Sequence, residues 1–168
     1  MAAALALAAT LSWVIARQSG PTGAGTLAHE IVAAHVRSLM ADHLYDVRSS
    51  DQHTVKPWFS GKLDFAPDVR DPAGEGFPLE GGRLDYLDGH AVAALVYRHN
   101  RHVINCFVWP ARGAQPPLPT SAQGYNLIRF SDRGLTWCVI SDAAPATLEE
   151  FTRALRASAA TMPVKPFR

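Results

Sequence analysis

At 168 residues, the chain is long enough for one domain with a substantial core and too short for two. Charged residues make up 18% and hydrophobic residues 48%, a composition that excludes a disordered or low-complexity protein. Sixteen Lys and Arg against fifteen Asp and Glu leave a formal net charge of +1, so we expect no nucleic-acid partner.

The N-terminal segment is apolar from Ala2 to Ala16 and then reaches Arg17. It is shorter than the roughly twenty residues that a membrane-spanning helix needs, and no basic residue precedes it as in a signal peptide. We interpret residues 1–17 as the end of a transmembrane helix, in preference to a plain N-terminal anchor or a signal sequence. Residues 18–25, QSGPTGAG, are rich in Gly, Ser and Pro and predict a flexible linker.

A first helix is predicted over residues 26–45, because apolar residues recur there at three- and four-residue steps and Thr26 is available to cap it. The next stretch, DVRSSDQHTVKPWFSGKLDFAP, has neither a helix nor a strand period. Within it, Ser49, Ser50 and Asp51 are typical turn formers, and Thr54 is placed to cap a short helical turn at VKPWF.

Five strands are predicted in the second half of the chain. Asp88-Gly89 predicts a hairpin turn between RLDYL and AVAALVY, and RHNR separates the latter from HVINCFVW. The proline-rich residues 111–124, ARGAQPPLPTSAQG, predict a surface loop. YNLIRFS and LTWCVIS then flank the turn DRG and predict a second hairpin.

The sequence PATLEEFTRALRASAA predicts a C-terminal helix, with Leu148, Phe151 and Leu155 on one side. The expected fold class is α+β, with about five antiparallel strands and an N-terminal and a C-terminal helix packed on the sheet. We expect residues 26–160 to form a single domain and residues 161–168 to be a tail.

Two cysteines, Cys106 and Cys138, lie inside apolar runs. We interpret them as small buried hydrophobic residues in preference to a disulfide pair. Neither has a second cysteine or clustered histidines nearby, so they do not indicate a zinc site.

Catalytic and metal-binding constellations are also possible interpretations of the polar residues. His35, Asp51 and His53 would be the centre of a metal-dependent or serine hydrolase, but the chain lacks the G-x-S-x-G motif of a nucleophile elbow. His35, His43 and His53 are weak candidates for a metal site, because His35 and His43 are not spaced one helical turn apart. We predict no catalytic residues, no metal and no cofactor.

A recognition surface is the interpretation we favour for the irregular stretch. Trp58 and Phe59 beside Lys56 combine a large apolar area with charge, as the centres of interfaces do. The alternative is that Trp58 and Phe59 only plug the open end of the sheet. We hypothesise that a ligand or partner binds to Arg37, His53, Lys56 and Trp58.

SSDQHTVKPWF and GGRLDYLDG carry a resemblance that extends from about Ile31 to Leu155. In this part the chain resembles the extracytoplasmic domain of bacterial transmembrane anti-sigma factors, also described as transmembrane transcriptional regulators. The resemblance implies a periplasmic sensor domain, joined by one membrane helix to a cytoplasmic domain that holds an extracytoplasmic-function sigma factor. The chain has no H-x-x-x-C-x-x-C motif, so it is similar to the sensor half alone. The resemblance implies no catalytic residues.

The sequence therefore predicts a non-enzymatic sensor or partner-binding domain in the periplasm, anchored in the bacterial inner membrane by a single N-terminal helix. The expected partners are a sigma factor, held by a cytoplasmic domain outside this chain, and an envelope signalling protein or a small ligand. A purely structural envelope domain is a further alternative. Seven histidines predict that stability or affinity changes between about pH 5 and 7.

Overall fold

The computed structural model describes residues 23–160. The predicted membrane segment 1–17, most of the predicted linker 18–25 and the predicted tail 161–168 lie outside the described residues. Within residues 23–160, no helix combines the length and the apolar character that crossing a bilayer requires.

The described residues form three α-helices around one seven-stranded antiparallel sheet with the strand order β1-β2-β3-β4-β7-β6-β5. The helices are α1 (Gly23–Ser38), α2 (Gln52–Trp58) and α3 (Pro145–Ala160). The strands are β1 (Val47–Arg48), β2 (Leu79–Leu87), β3 (His90–His99), β4 (His102–Pro110), β5 (Leu118–Ala122), β6 (Tyr125–Asp132) and β7 (Leu135–Ser141). The predicted α+β class is confirmed, with seven strands in place of about five.

The two additional strands are the edges of the sheet. Strand β1 lies in the irregular stretch and pairs through Val47 and Arg48 with two glycines of β2. Strand β5 lies inside the predicted proline-rich loop and pairs with β6, so the loop prediction was wrong for residues 118–122. Pro119 has no N–H to donate, and an edge strand tolerates this. Neither edge strand has the alternating apolar pattern that would have predicted it.

The predicted hairpins are confirmed at their turns. Asp88 and Gly89 join β2 to β3 with φ values of 50° and 80°, which suit the tight twisted turn that an Asp-Gly pair favours. The β3–β4 and β6–β7 turns likewise contain residues with positive φ, Asn100 in the first and Arg133 and Gly134 in the second.

Two helix boundaries differ from the prediction. Helix α1 begins at Gly23 and ends at Ser38, so Thr26 is an interior residue and residues 39–44 form turns. Helix α2 is capped by Asp51 and not by Thr54: the Asp51 Oδ1 atom accepts a hydrogen bond of 2.8 Å from the His53 backbone N–H.

The sheet is covered on both faces. On β3, Ala93, Leu95 and Tyr97 point to one face, and Val92 and Ala94 point to the other. The first face, here called the α2/α3 face, packs against residues of α2 and α3. The second, here called the α1 face, packs against α1. The prediction that the first and last helices pack on the sheet is confirmed, and they do so on opposite sides.

Close approach of β1 to β2 requires a glycine at position 81. A Cβ atom there would lie 2.3 Å from the Val47 carbonyl oxygen, and the Gly81 φ of 154° also disfavours a side chain. We expect Gly81→Ala to lower the free energy of unfolding by roughly 1–3 kcal/mol, measured by urea denaturation. Gly113→Ala is the control, because no atom lies within 4 Å of a Cβ there. Equal stability of the two variants would contradict this account of β1.

Candidate functional site

A buried polar cluster lies between α1 and the α1 face of the sheet. Its four central members are each 5% exposed or less: His35, Ser38, Arg83 and Asn105. Apolar contacts surround them, including those of Ile31. A polar cluster in such a position is stabilising only if its members satisfy one another.

Asn105, in the middle of β4, connects the members of this cluster. Its side-chain nitrogen donates to the Ser38 Oγ at 2.7 Å and approaches the His35 Nδ1 at 2.8 Å. Its oxygen accepts from the Arg83 Nη1 at 3.3 Å. Because an arginine can only donate, the amide oxygen faces Arg83 and the amide nitrogen faces the helix. The His35 Nδ1 is then an acceptor, which leaves the imidazole neutral with its proton on Nε2.

Two arginines share one carboxylate at the outer end of the cluster. The Asp85 Oδ2 accepts from the Arg83 Nη2 at 3.1 Å, and the Asp85 Oδ1 lies 3.5 Å from the Arg37 Nη2. Burial lowers the pKa of Arg83, and the Asp85 carboxylate opposes that shift. Asp85 therefore compensates the buried guanidinium and also joins α1 to β2.

The cluster opens into a cavity of about 370 Å³ between α1, the turns that follow it and β2. Its polar lining includes Arg37, Ser38, Asp42, His43, Asp46, Arg83 and Asp85. Groups of both charges are thus available, and a polar molecule in this cavity would contact α1 and the sheet at once.

The buried position of His35 predicts a pH dependence of stability. Burial, together with the Arg83 guanidinium, lowers the pKa of His35 from 6.5 to about 4, although Asp142 acts in the opposite direction. Between these two values the unfolded chain binds a proton that the folded chain does not. The stabilisation is therefore fully present above pH 6.5 and is lost as the pH falls towards 4.

We expect the free energy of unfolding to fall by roughly 2 kcal/mol between pH 7 and pH 5 through His35 alone. Urea denaturation at several pH values measures this. His35→Gln should flatten the profile, whereas His43→Gln, at an exposed position, should keep the wild-type slope. A His35→Gln profile as steep as the wild type would assign the effect to other groups.

The four residues of the hypothesised recognition surface are divided between the two faces. Arg37 is exposed on α1, on the α1 face. His53 and Lys56 are exposed on α2, and Trp58 is half-buried there, on the α2/α3 face. The sheet separates Arg37 from the other three, so the four do not form one surface.

The two aromatic residues at the end of α2, Trp58 and Phe59, differ in burial. Phe59 is fully buried against Gly82 of β2. Trp58 packs edge-to-face on Phe59, with ring centroids 5.1 Å apart, and the Lys62 Nζ lies 4.5 Å from its ring centre. The exposed part of Trp58 remains available for a contact.

The alternative catalytic centre does not assemble. His35 is buried on the α1 face, whereas Asp51 and His53 lie on the α2/α3 face. Asp51 is used as the cap of α2. Among residues 23–160, no three His, Cys, Asp or Glu side chains are close enough to hold a metal ion, and His35, His43 and His53 do not converge.

The two cysteines are free and buried, which confirms their interpretation as small hydrophobic residues. Cys106 belongs to the α2/α3 face and Cys138 to the α1 face, so their side chains point in opposite directions. Burial raises the pKa of both thiols, that of Cys138 to about 12. Neither is suited to act as a nucleophile.

Four members of the cluster were not predicted from the sequence: Ser38, Arg83, Asp85 and Asn105. Asn105 is the one strongly polar residue within the apolar run VINCFVW, and this was a usable signal. Arg83 and Asp85 alternate with apolar residues in RLDYL, so they had to share a face of the strand. Which face that was, and that α1 would cover it, depended on tertiary packing.

No protein-family model, curated protein or solved structure matches this chain. The resemblance to transmembrane anti-sigma factors therefore stays a prediction from the sequence motifs.

Proposed function

We propose that this chain is the periplasmic sensor or partner-binding domain of a membrane-anchored anti-sigma factor and that it acts without catalysing a reaction. The observation that carries the proposal is the way α1 is held. This helix is the first described element after the apolar N-terminal segment, and a buried polar network fixes its last turns to the sheet. The sequence motifs named above support the choice of family.

The polar network under α1 favours two discrete positions of this helix on the sheet over a continuous range of positions. The Asn105 amide loses its partners as soon as His35 and Ser38 move. Water or a ligand must then satisfy the Arg83 guanidinium. A molecule that binds one arrangement better than the other shifts the population, and α1 carries that shift towards the membrane.

The cavity beside Arg37 is where such a molecule would act in this proposal. Asp85 is shared between Arg37 and Arg83. An anion that pairs with Arg37 would therefore compete with Asp85 for that arginine. A cationic group that pairs with Asp85 would weaken the compensation of Arg83. Either event changes how firmly the helix is held.

In this proposal the sigma factor is bound by a separate cytoplasmic domain, and residues 26–160 receive the signal. The domain lies in the periplasm, and the membrane is reached through the N-terminal apolar segment. An envelope signalling protein or a small ligand is the proposed periplasmic partner.

Transcript profiling of the host bacterium tests the proposal. Deleting the gene should raise a set of transcripts that share one promoter type, and complementation with the wild type should restore them. Asn105→Leu, present in the membrane at the wild-type level, should alter that restoration, whereas Asn100→Gly in the exposed β3–β4 turn should not. If deletion changes no such set, the proposed regulatory role is wrong.

A biochemical assay tests the claim that the domain is not an enzyme. Turnover of a small substrate by the purified protein, abolished by changing His53 alone, would favour the hydrolase alternative. We expect no such turnover, because His53 is exposed on α2 and is separated from His35 by the sheet.

A further inference from the structure

A second and larger depression lies on the α1 face, at the end of the sheet where β2 turns into β3. This feature, here called the end groove, has a volume of about 960 Å³. Four adjacent strands contribute residues to its floor, among them His90 from β3, Trp109 from β4, Thr136 from β7 and Arg129 from β6. Leu27 of α1, the loop 111–115 and residues 62–64 form its walls.

Three polar groups on this floor have unused hydrogen-bonding capacity. Arg129 is partly buried, yet its guanidinium makes no hydrogen bond or ion pair within the described part of the chain. Thr136 and Trp109 are 7% and 8% exposed, and neither the hydroxyl nor the indole N–H has a partner among residues 23–160. The two side chains are largely buried, but their polar atoms still reach solvent, since the buried side-chain polar atoms without a partner in residues 23–160 are those of Gln52, Trp137 and Thr152.

Arg129 differs in this respect from comparable arginines. Three other arginines in the described part of the chain are buried or partly buried, and each has a carboxylate partner: Arg70, Arg83 and Arg98. The absence of a partner at Arg129 is therefore a feature of the end groove and not of arginines in this fold. Unpaired polar groups that converge in a concave site are typical of ligand recognition.

The charge and shape of the end groove select the class of ligand. Lys62, Arg112 and Arg129 against Asp64 and Asp88 give three positive and two negative charges, a net of +1. The positive balance favours an anion. A planar guanidinium also binds a carboxylate through two parallel hydrogen bonds.

An aromatic part of the floor adjoins the cation. The Trp109 ring lies in the groove with the His90 ring packed against it at 6.2 Å between centroids. The His90 Nδ1 is 3.0 Å from the Asp88 carbonyl oxygen, which holds the imidazole in place. A ligand with a flat or aliphatic body can therefore pack on Trp109 while its anionic end reaches Arg129.

We infer that the end groove binds a small organic monocarboxylate, with the carboxylate on Arg129 and Thr136 and the apolar body against Trp109. This inference goes beyond the proposed function, because it holds whether or not the chain regulates a sigma factor. Leu27 places α1 in the wall of the same groove. Within the proposed function, an occupant would thus contact the helix that carries the signal.

Titration of the isotope-labelled full chain by NMR tests the inference, with phenylacetate as the probe. The indole N–H signal of Trp109 should shift and saturate. The matched neutral amide, phenylacetamide, should bind at least about tenfold more weakly, because it lacks the charge that Arg129 recognises. Inorganic phosphate should also bind more weakly. The tripeptide Gly-Gly-Phe is the second probe. If it bound more tightly than phenylacetate, the carboxylate that the groove recognises would be the C-terminus of a peptide.

Variants of the floor complete the test. Arg129→Gln should weaken phenylacetate binding by about tenfold to a hundredfold, whereas Arg101→Gln, exposed in the β3–β4 turn, should bind as the wild type does. If Arg129→Gln does not fold, Thr136→Val decides, and it should also reduce affinity. The inference is overturned by the absence of saturable binding, by equal binding of acid and amide, by phosphate binding as tightly as phenylacetate, or by unchanged affinity in the folded variant.

Discussion

Replacing Arg70 with Ala is expected to lower the free energy of unfolding by about 3–5 kcal/mol, the largest effect we predict for a single substitution in this domain. The Arg70 side chain is fully buried, and its Nη2 lies 2.6 Å from the Asp132 Oδ2. Its Nε donates to the Asp68 Oδ2 at 2.9 Å, and its Nη1 donates to the Leu155 carbonyl at 3.1 Å. Arg70 thus joins the segment before β2, the end of β6 and helix α3.

The guanidinium of Arg70 also lies 4.3 Å from the centre of the buried Trp137 ring. Its removal leaves two carboxylates without their cation and a void against that ring, so electrostatic and packing losses add. Guanidinium chloride denaturation measures the loss. Arg70→Met separates the two contributions, because it keeps much of the volume without the charge. Arg153→Ala, exposed on α3, is the control, and equal stability of Arg70→Ala and that control would refute the account.

Replacing Asn105 with Leu is expected to cost about 2–4 kcal/mol. Leucine keeps the branched shape of the side chain, although it is larger, but His35, Ser38 and Arg83 all lose a hydrogen-bonding partner. A buried guanidinium that loses a partner costs more than a neutral group does. The effect should therefore exceed that of an ordinary surface substitution several-fold.

Urea denaturation followed by circular dichroism measures the effect of Asn105→Leu. Asn100→Gly is its control, because Asn100 is exposed and its φ of 54° suits glycine. If Asn105→Leu proved as stable as the wild type, α1 would be held by apolar packing alone, and the polar network would not explain its docking.

The central part of the fold could be predicted because its signals are local. The β2–β3 and β6–β7 hairpins are each defined by a glycine-containing turn between runs of apolar residues, and the two faces of AVAALVY are both apolar because helices cover both. Helix α3 followed from its apolar spacing. These features need no knowledge of distant residues.

The candidate site could be predicted only in part, because its members meet through tertiary contacts. Arg37 was identified, but its partner Asp85 lies 48 residues later in the chain. Arg70 stands in the polar sequence PDVRDP, and its burial depends on Asp132 and Leu155, which are 62 and 85 residues away. A single sequence gives no distance between such residues. Arg129 was likewise not distinguished from the other arginines.

Native-state hydrogen exchange of the backbone amides tests the central claim most directly, namely that α1 can change its arrangement on the sheet without unfolding of the whole domain. We predict that the amides of Ile31–Ser38 exchange with a lower opening free energy, and a smaller denaturant dependence, than those of the central strands β4 and β7. The same opening free energy for α1 and for these strands at every denaturant concentration would contradict the account, because α1 would then move only when the whole domain unfolds.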